Sequence, residues 1–390
     1  MGLELAYVLI NPYTIQKSRT GGVIARLLAR SSFRIVAARM FSPSSALIKA
    51  YTDSVIAHQK DSSEKEISFL IKDYIEKNYS ADNETGKKTR VMMLLFEGED
   101  ANKRLNDEVI GHIKYASVKG ETIRDTYGDY IVGDGKVAYF EPAVLSASTW
   151  EQAQADLRIW SKFSDSDGGI LEDVVPYPDA SSVENTLVMI KPDNFRTPSI
   201  RVGNIIDMFS KTGLYIIGVR LVNMSIEQAQ TFYGPVKAVL EEKMKTTVTM
   251  KITDIFKQNF EFTIPLGIKN RLVEEINPLY TEHEFNKIID FITGVNPKRI
   301  KNIIEKKKKG TQTCLALVYQ GINAVKKIRD VLGSTDPEKA APATVRKEFG
   351  QNIMINTAHA SDSVKNAKRE IEILNVAGND IKSVVASYFS

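Results

Sequence analysis

The chain repeats itself, and the repeat limits it to folds that can be built twice. Leu5–Met40 (LAYVLINPYTIQKSRTGGVIARLLARSSFRIVAARM) and Thr186–Leu221 (TLVMIKPDNFRTPSIRVGNIIDMFSKTGLYIIGVRL) share one order of events. A continuous apolar run, as expected of a strand buried on both faces, ends in a proline, Pro12 or Pro192. A loop then reaches a glycine, Gly22 or Gly203, and an amphipathic helical pattern turns Ile24, Leu27 and Leu28, or Ile205, Met208 and Phe209, inward. A β-branched strand follows, Phe33–Ala38 or Leu214–Val219. Further on, VMMLLFEG (Val91–Gly98) parallels CLALVYQG (Cys314–Gly321), and GETIRDTYG (Gly120–Gly128) parallels PATVRKEFG (Pro342–Gly350). Short strands alternating with helices, twice over, predict two similar α/β (α+β) domains. Each is expected to be an α/β sandwich with a split βαβ arrangement rather than a large parallel sheet.

The copies differ in spacing. Their offset is 180 at the proline pair and 182 at Tyr51/Tyr233, then 223 at Gly98/Gly321, so the second copy carries about 40 extra residues before its third strand. The expected division is a first domain over 1–150, a linker over 151–182 and a second domain over 183–390. The second domain is interrupted by a helical insertion at about 236–312. The linker reading rests on Ser161–Ser182, rich in Ser, Asp, Gly and Pro. Within the insertion, Asn296 and Pro297 predict a helix start and Gly310 a stop. The lysines at 306–309 then complement that helix's dipole; a nucleic-acid patch is the weaker reading of them. In the first copy the corresponding stretch, Thr52–Arg90, predicts one short apolar helix over Ile67–Ile75.

Composition excludes several classes. No run approaches the roughly 18 to 20 apolar residues that span a bilayer. The N-terminal MGLELAYVLI lacks a basic leader region, so no signal peptide is expected. Position 6 is Ala where myristoylation asks for Ser or Thr. The single cysteine, Cys314, can form no intrachain disulfide and lies in an apolar run, which fits a reducing cytoplasm. A net charge of +4 does not argue for nucleic acid.

Chemistry concentrates near the C-terminus. Of four histidines, His359 alone lies between an Asn and a Ser-Asp-Ser, in Asn356-Thr357-Ala358-His359-Ala360-Ser361-Asp362-Ser363, where a helix is expected to begin. A neutral imidazole is a good nucleophile near physiological pH, and a helix start attracts phosphate. Val364, Ala367, Ile371 and Leu374 mark the expected buried face of that helix, with Glu370 at its edge.

With these residues in place, the second copy resembles the nucleoside-diphosphate kinase family over its length, insertion excepted. The motifs that carry the resemblance run in family order: Ile190-Lys191-Pro192-Asp193, Tyr233, Arg329-x-x-x-Gly333-x-Thr335-x-Pro337, Thr344-Val345-Arg346, and Asn356-x-x-His359-Ala360-Ser361-Asp362-Ser363. The resemblance implies ferredoxin-like α/β sandwiches in tandem. It further implies transfer of the γ-phosphate of ATP to nucleoside diphosphates by a ping-pong route through phospho-His359. Lys191, Arg329 and Arg346 would supply cations, Thr335 a hydroxyl, Asn356 and Lys191 contacts to ribose and phosphate, and Glu370 would hold the imidazole. Tyr233 would lie near the ring. Mg²⁺, held mainly by the nucleotide's phosphates rather than by protein ligands, is the expected metal. The family also implies a homo-oligomer or an intrachain pseudo-dimer in the cytoplasm, without membrane or nucleic-acid partners.

The first copy departs from the pattern. Asn11 stands where the second copy has Lys191 and Tyr13 where it has Asp193; Arg124 and Tyr51 remain, but Ile131–Trp150 contains no histidine. It reads as a degenerate, pseudokinase-like copy that packs as a built-in partner or binds nucleotide without turnover. The insertion displaces the aromatic that the family stacks on the base, leaving Phe256, Phe260 and Phe285 as candidates. The alternative for the whole chain is a weakly catalytic or non-catalytic nucleotide-binding scaffold.

Overall fold

The computed structural model of the protein describes residues 2–58, 62–82, 84–114, 120–260 and 262–389. They form two compact units, Met1–Leu221 with Leu315–Ser390, and Val222–Cys314. The first unit contains the first copy of the repeat and most of the second.

The first copy runs β1 (Leu3–Ile10), α1 (Pro12–Gln16), α2 (Thr20–Arg30), β2 (Arg34–Phe41), α3 (Ser45–Ala57), α4 (Ser62–Asn78) and β3 (Val91–Glu99). It continues through α5 (Ala101–Arg104), α6 (Ile123–Tyr127), a two-stranded hairpin β4 (Asp129–Gly133) and β5 (Lys136–Glu141), then β6 (Val144–Leu145) and α7 (Trp150–Phe163). The second copy runs β7 (Val183–Ile190), α8 (Arg201–Ser210), β8 (Tyr215–Val222), α9 (Ile226–Asn259), α10 (Leu266–Thr293), α11 (Ile303–Lys306) and β9 (Cys314–Ile322). It ends with α12 (Ala324–Leu332), α13 (Val345–Phe349), β10 (Ala358–Ala360), α14 (Val364–Ile373) and α15 (Ile381–Phe389).

The two sheets have the same order, β2-β3-β1-β6 and β10-β7-β9-β8. β1 is antiparallel to β3 and β6, and β7 to β9 and β10. Counted within each copy, the order is 2-3-1-4, the ferredoxin-like arrangement, so both sandwiches are α/β as the sequence predicts. The central strands are buried on both faces, which is why they read as unbroken apolar runs: Leu5–Ile10 and Leu187–Ile190 are all fully inaccessible.

The glycines expected in loops lie inside helices. α2 and α8 pack together where Gly21 meets Gly203, and a Cβ on Gly203 would fall 2.2 Å from the Gly21 carbonyl oxygen. The two sandwiches therefore meet through a helix pair that only hydrogen side chains allow to approach. The next residue, Gly22, leaves room for Tyr127, whose hydroxyl would sit 2.0 Å from an added Cβ.

The stretch expected as linker from 151 is helical as far as Phe163. The Thr149 hydroxyl accepts from the Gln152 N–H to cap α7, and Ala153, Leu157 and Trp160 at helical spacing bury themselves on the first sheet. Trp160 packs edge-on against Phe41 at 5.0 Å. The true connector begins after it and shields two edge strands: the Gly169 N–H donates to Met40 O and the Leu171 N–H to Ile217 O. The C-terminal α15 returns to the first sandwich, where Ile381 and Val385 join its core.

The second unit spans Val222–Cys314. It is a hairpin of two long helices, α9 and α10, around Val248, Ile252, Ile264 and Val273. Ser225 and Gln228 form a reciprocal capping box at the start of α9. The helix expected over 297–309 is broken in two. Pro297–Arg299 is a single 3-10 turn capped by Asn296, and a second cap, Asn302 to the Ile304 N–H, restarts the chain as the one-turn α11. In the first copy, the short helix expected over 67–75 is the middle of the longer α4.

Candidate functional site

His359 sits in the edge strand β10, opposite Met189 of β7. Its Nε2 lies 2.8 Å from Glu370 Oε2 on α14. A carboxylate accepts and cannot donate, so the ring proton resides on Nε2 and Nδ1 carries the lone pair. Glu370 is not at the helix edge, as the sequence predicts, but buried, with 5% of its surface exposed. The Ser361 hydroxyl also donates to it, at 2.6 Å, and Arg369 lies 3.6 Å from its other oxygen. The helix begins at Val364 with Ser363 as its cap, the Ser363 hydroxyl accepting from the Asn366 N–H. Val364, expected to face inward, is half exposed, whereas Ala367 and Leu374 are buried as predicted. The sequence places Ser361 only at the helix start; its position two residues beyond the histidine, just past the end of β10, is the signal that links it to the same Glu370 oxygen.

A second cluster stands beside this pair. Lys191, at the end of β7, is buried and donates from Nζ to Asn356 Oδ1 at 2.6 Å. The Asn356 amide donates in turn to the Thr335 carbonyl at 3.0 Å. The Lys191 N–H donates to Thr357 O (2.9 Å), and so does the Asn194 side chain (2.8 Å). Thr357 reaches this geometry only at φ 77°, a left-handed conformation that a β-branched residue adopts under constraint. Arg346 of α13 donates to Gly333 O and to Ala358 O, both at 3.0 Å, which seats its guanidinium next to His359. The side chain of Asp193 is largely covered, and desolvation raises its carboxyl above the usual range, opposed chiefly by the charge of Lys191.

The other sequence candidates are less closely tied. Arg329 on α12 and Thr335 in the following loop are exposed. Asp362, held below its usual range chiefly by the Asn366 amide, also feels the charge of Arg329. Tyr233 lies on α9 in the other compact unit, buried with its ring 4.9 Å from Phe232. Of the base-stacking candidates, Phe285 is buried, while Phe256 and Phe260 stack on each other at 5.2 Å.

The first copy keeps this frame with other side chains. The Asn11 N–H donates to Ala143 O, with Ala143 at φ 60°, as Lys191 does to Thr357. Arg124 donates to Gly111 O and Val144 O, as Arg346 does to Gly333 and Ala358. By that register Leu145 stands at the place of His359, Ala147 at Ser361 and Asp156 at Glu370. Asp156 accepts from Tyr7 and Ser54 instead, and burial lifts its pKa to about 6. Desolvation lowers the pKa of Arg124 to about 10.

The fold and this arrangement define a ferredoxin-like α/β protein with a carboxylate-held histidine beside a buried lysine. The profile of the nucleoside diphosphate kinase family matches residues 184–255 and 296–376. The nucleoside diphosphate kinase of Wolinella succinogenes is 30% identical over 189 residues, 48% of this chain and 93% of the relative. That of Chlamydia abortus is 27% identical over 190 residues, 48% of this chain and 90% of the relative. A solved nucleoside diphosphate kinase from Encephalitozoon cuniculi aligns at TM-score 0.31 and 21% identity, covering 53% of this chain and 99% of that one. The chain belongs to the nucleoside diphosphate kinase family. Among the described residues, no helix is long and apolar enough to cross a membrane.

Proposed function

We propose that the second sandwich is a working nucleoside-diphosphate kinase and that the first is its catalytically silent copy. The observation that carries this reading is the 2.8 Å contact of His359 Nε2 with the Glu370 carboxylate, which puts the lone pair of the ring on Nδ1. In the first half-reaction, Nδ1 attacks the γ-phosphorus of ATP, the bond to the β–γ bridging oxygen breaks, and ADP leaves. In the second, a β-phosphate oxygen of another nucleoside diphosphate attacks the phosphohistidine, and Nδ1 departs as a neutral imidazole. The Nε2 proton stays in the hydrogen bond to Glu370 throughout, which stabilises the charge that develops on the ring. Lys191 and Arg346, with Arg329 at the exposed side, would neutralise phosphate oxygens; Asn356 would hold Lys191 in place and offer an amide to the ribose.

The donors around His359 suit a phosphate rather than a bare metal ion. Among the described residues no group of three His, Cys, Asp or Glu side chains is placed to hold a metal. Mg²⁺ in this reading arrives on the nucleotide's own phosphates and spreads their charge. The silence of the first sandwich follows from Leu145, which has no nucleophile, and from Asn11 and Pro142, which replace the Lys191–Asn356 pair. Packed through Gly21 and Gly203, it would serve as an intrachain partner.

The test is steady-state transfer from ATP to GDP. Double-reciprocal plots at several GDP concentrations are expected to be parallel, as a ping-pong route requires. Absence of GTP formation, with nucleotide still bound, would leave a nucleotide-binding scaffold as the account.

A further inference from the structure

The two sandwiches differ in what covers the outer face of their last helix. On the first, α15 ends against α7 and the sheet: Phe389 lies 4.9 Å from Trp150, its carbonyl accepts from Arg158 at 2.9 Å, and the Tyr388 hydroxyl donates to Glu97. Each of these three contact residues has a counterpart in the second copy. Trp150 and Val364 both follow the capping residue of their helix, Arg158 and Glu372 lie eight residues further on, and Glu97 and Gln320 pair with Leu5 and Asn185. Val364, Glu372 and Gln320 all line a cavity of about 660 Å³. Among the described residues that line it, none comes from a helix in the place of α15; the connector contributes Ile170, Val175 and Tyr177 instead.

We propose that this cavity is a second ligand site, away from His359, for a compact amphipathic molecule with an aromatic or aliphatic body and one polar end. The size lies in the usual range for small-molecule pockets. Val175, Val318, Val364 and Ile371 supply apolar walls. The floor is the amide pair Gln320–Asn185, joined at 3.0 Å by a bond that uses only one Gln320 N–H and the Asn185 carbonyl, so the Asn185 NH2 and the Gln320 carbonyl are not spent on it. Lys368 stands at the wall and makes no ion pair among the described residues, whereas Lys87 is already matched by Asp173 at 2.7 Å. Ile371 and Glu372 adjoin Glu370, so a bound molecule would press on the helix that holds His359; this coupling rests on the kinase reading.

The probe is 8-anilinonaphthalene-1-sulfonate, an aromatic body with a single anionic end, titrated into the full chain. Its emission is expected to rise and shift to the blue with one equivalent bound, unaffected by saturating ATP and retained in His359→Ala. Val364→Trp places in the second copy the residue that the first copy has, and Ala180→Phe fills the cavity from the connector. Each is expected to cut the enhancement at least about fivefold by occupying the apolar volume. No enhancement in wild type, displacement of the dye by ATP, or enhancement undiminished in whichever variants fold overturns the site. With the dye saturating, the rate of His359 labelling from ATP should change severalfold. An unchanged rate removes the coupling and leaves the site; absence of any label is instead a failure of the kinase reading.

Discussion

Replacing Glu370 with Gln isolates the feature on which the chemistry depends. The substitution keeps the volume of a buried side chain but removes its charge, and an amide presents a donor as readily as an acceptor. In the wild type both the His359 Nε2–H and the Ser361 hydroxyl point at one carboxylate oxygen, at 2.8 and 2.6 Å. A hydrogen bond to a charged acceptor is worth roughly 1.5–3 kcal/mol. The carboxylate also stabilises the imidazole more as it becomes cationic in the transition state, so much of that difference should appear in the barrier. That corresponds to about ten- to over a hundredfold in rate. The assay is single-turnover uptake of acid-labile label from γ-labelled ATP, with nucleotide binding measured in parallel. Glu370→Gln should slow labelling by that factor while ATP affinity stays within about twofold, because the carboxylate faces the ring and not the nucleotide. Labelling at the wild-type rate would refute the reasoning, since the contact would then be structural only.

Further outcomes follow from the same geometry. Gly203→Ala puts a methyl 2.2 Å from the Gly21 oxygen and 2.3 Å from the Ala25 nitrogen, so α2 and α8 must separate; overpacking of this kind costs about 1–3 kcal/mol and should lower Tm by several degrees, whereas an unchanged melt would mean the helices do not meet there. Burial lifts Asp156 from 3.8 to about 6, so the folded state holds its proton more tightly than the unfolded state. That contribution is intact below about pH 4 and lost as pH rises to about 6, by about 3 kcal/mol in all; urea titrations across this window should show the loss in wild type but not in Asp156→Asn, and parallel curves would contradict it. Leu145→His supplies the first sandwich with an imidazole but no Lys191 or Asn356 equivalent, and should acquire no label when His359 is Ala; label at position 145 would show that copy to be competent.

The fold was legible because the repeat doubles each signal. Strands buried on both faces give unbroken apolar runs, and the two sets of runs lie in the same order, so both sheets could be read. Glycine misled for a physical reason. Gly21 and Gly203 serve a contact 182 residues apart in sequence, and a local reading assigns them to loops. The two long helices α9 and α10 bury residues at scattered positions without a one-sided pattern, so their length was not visible in the sequence. In the site, His359, Lys191, Asn356 and Arg346 were named from ordered motifs, and the structure brings these four together. The depth of Glu370 was not readable, because Lys368, Arg369 and Glu372 around it disguise a buried carboxylate as part of a charged surface. Nor could sequence show that α15 leaves the second copy to complete the core of the first, since a chain's return path depends on which surface is left uncovered.

The most direct test of the central claim is where the phosphate goes. Full-length wild-type protein, His359→Ala and buffer-matched controls are incubated with γ-labelled ATP and Mg²⁺, quenched in alkali, digested and mapped. The account predicts one acid-labile, alkali-stable phosphate per chain on the peptide carrying His359, discharged on adding a nucleoside diphosphate, and none in His359→Ala. Wild type that takes up no label, or His359→Ala that takes up as much, contradicts it.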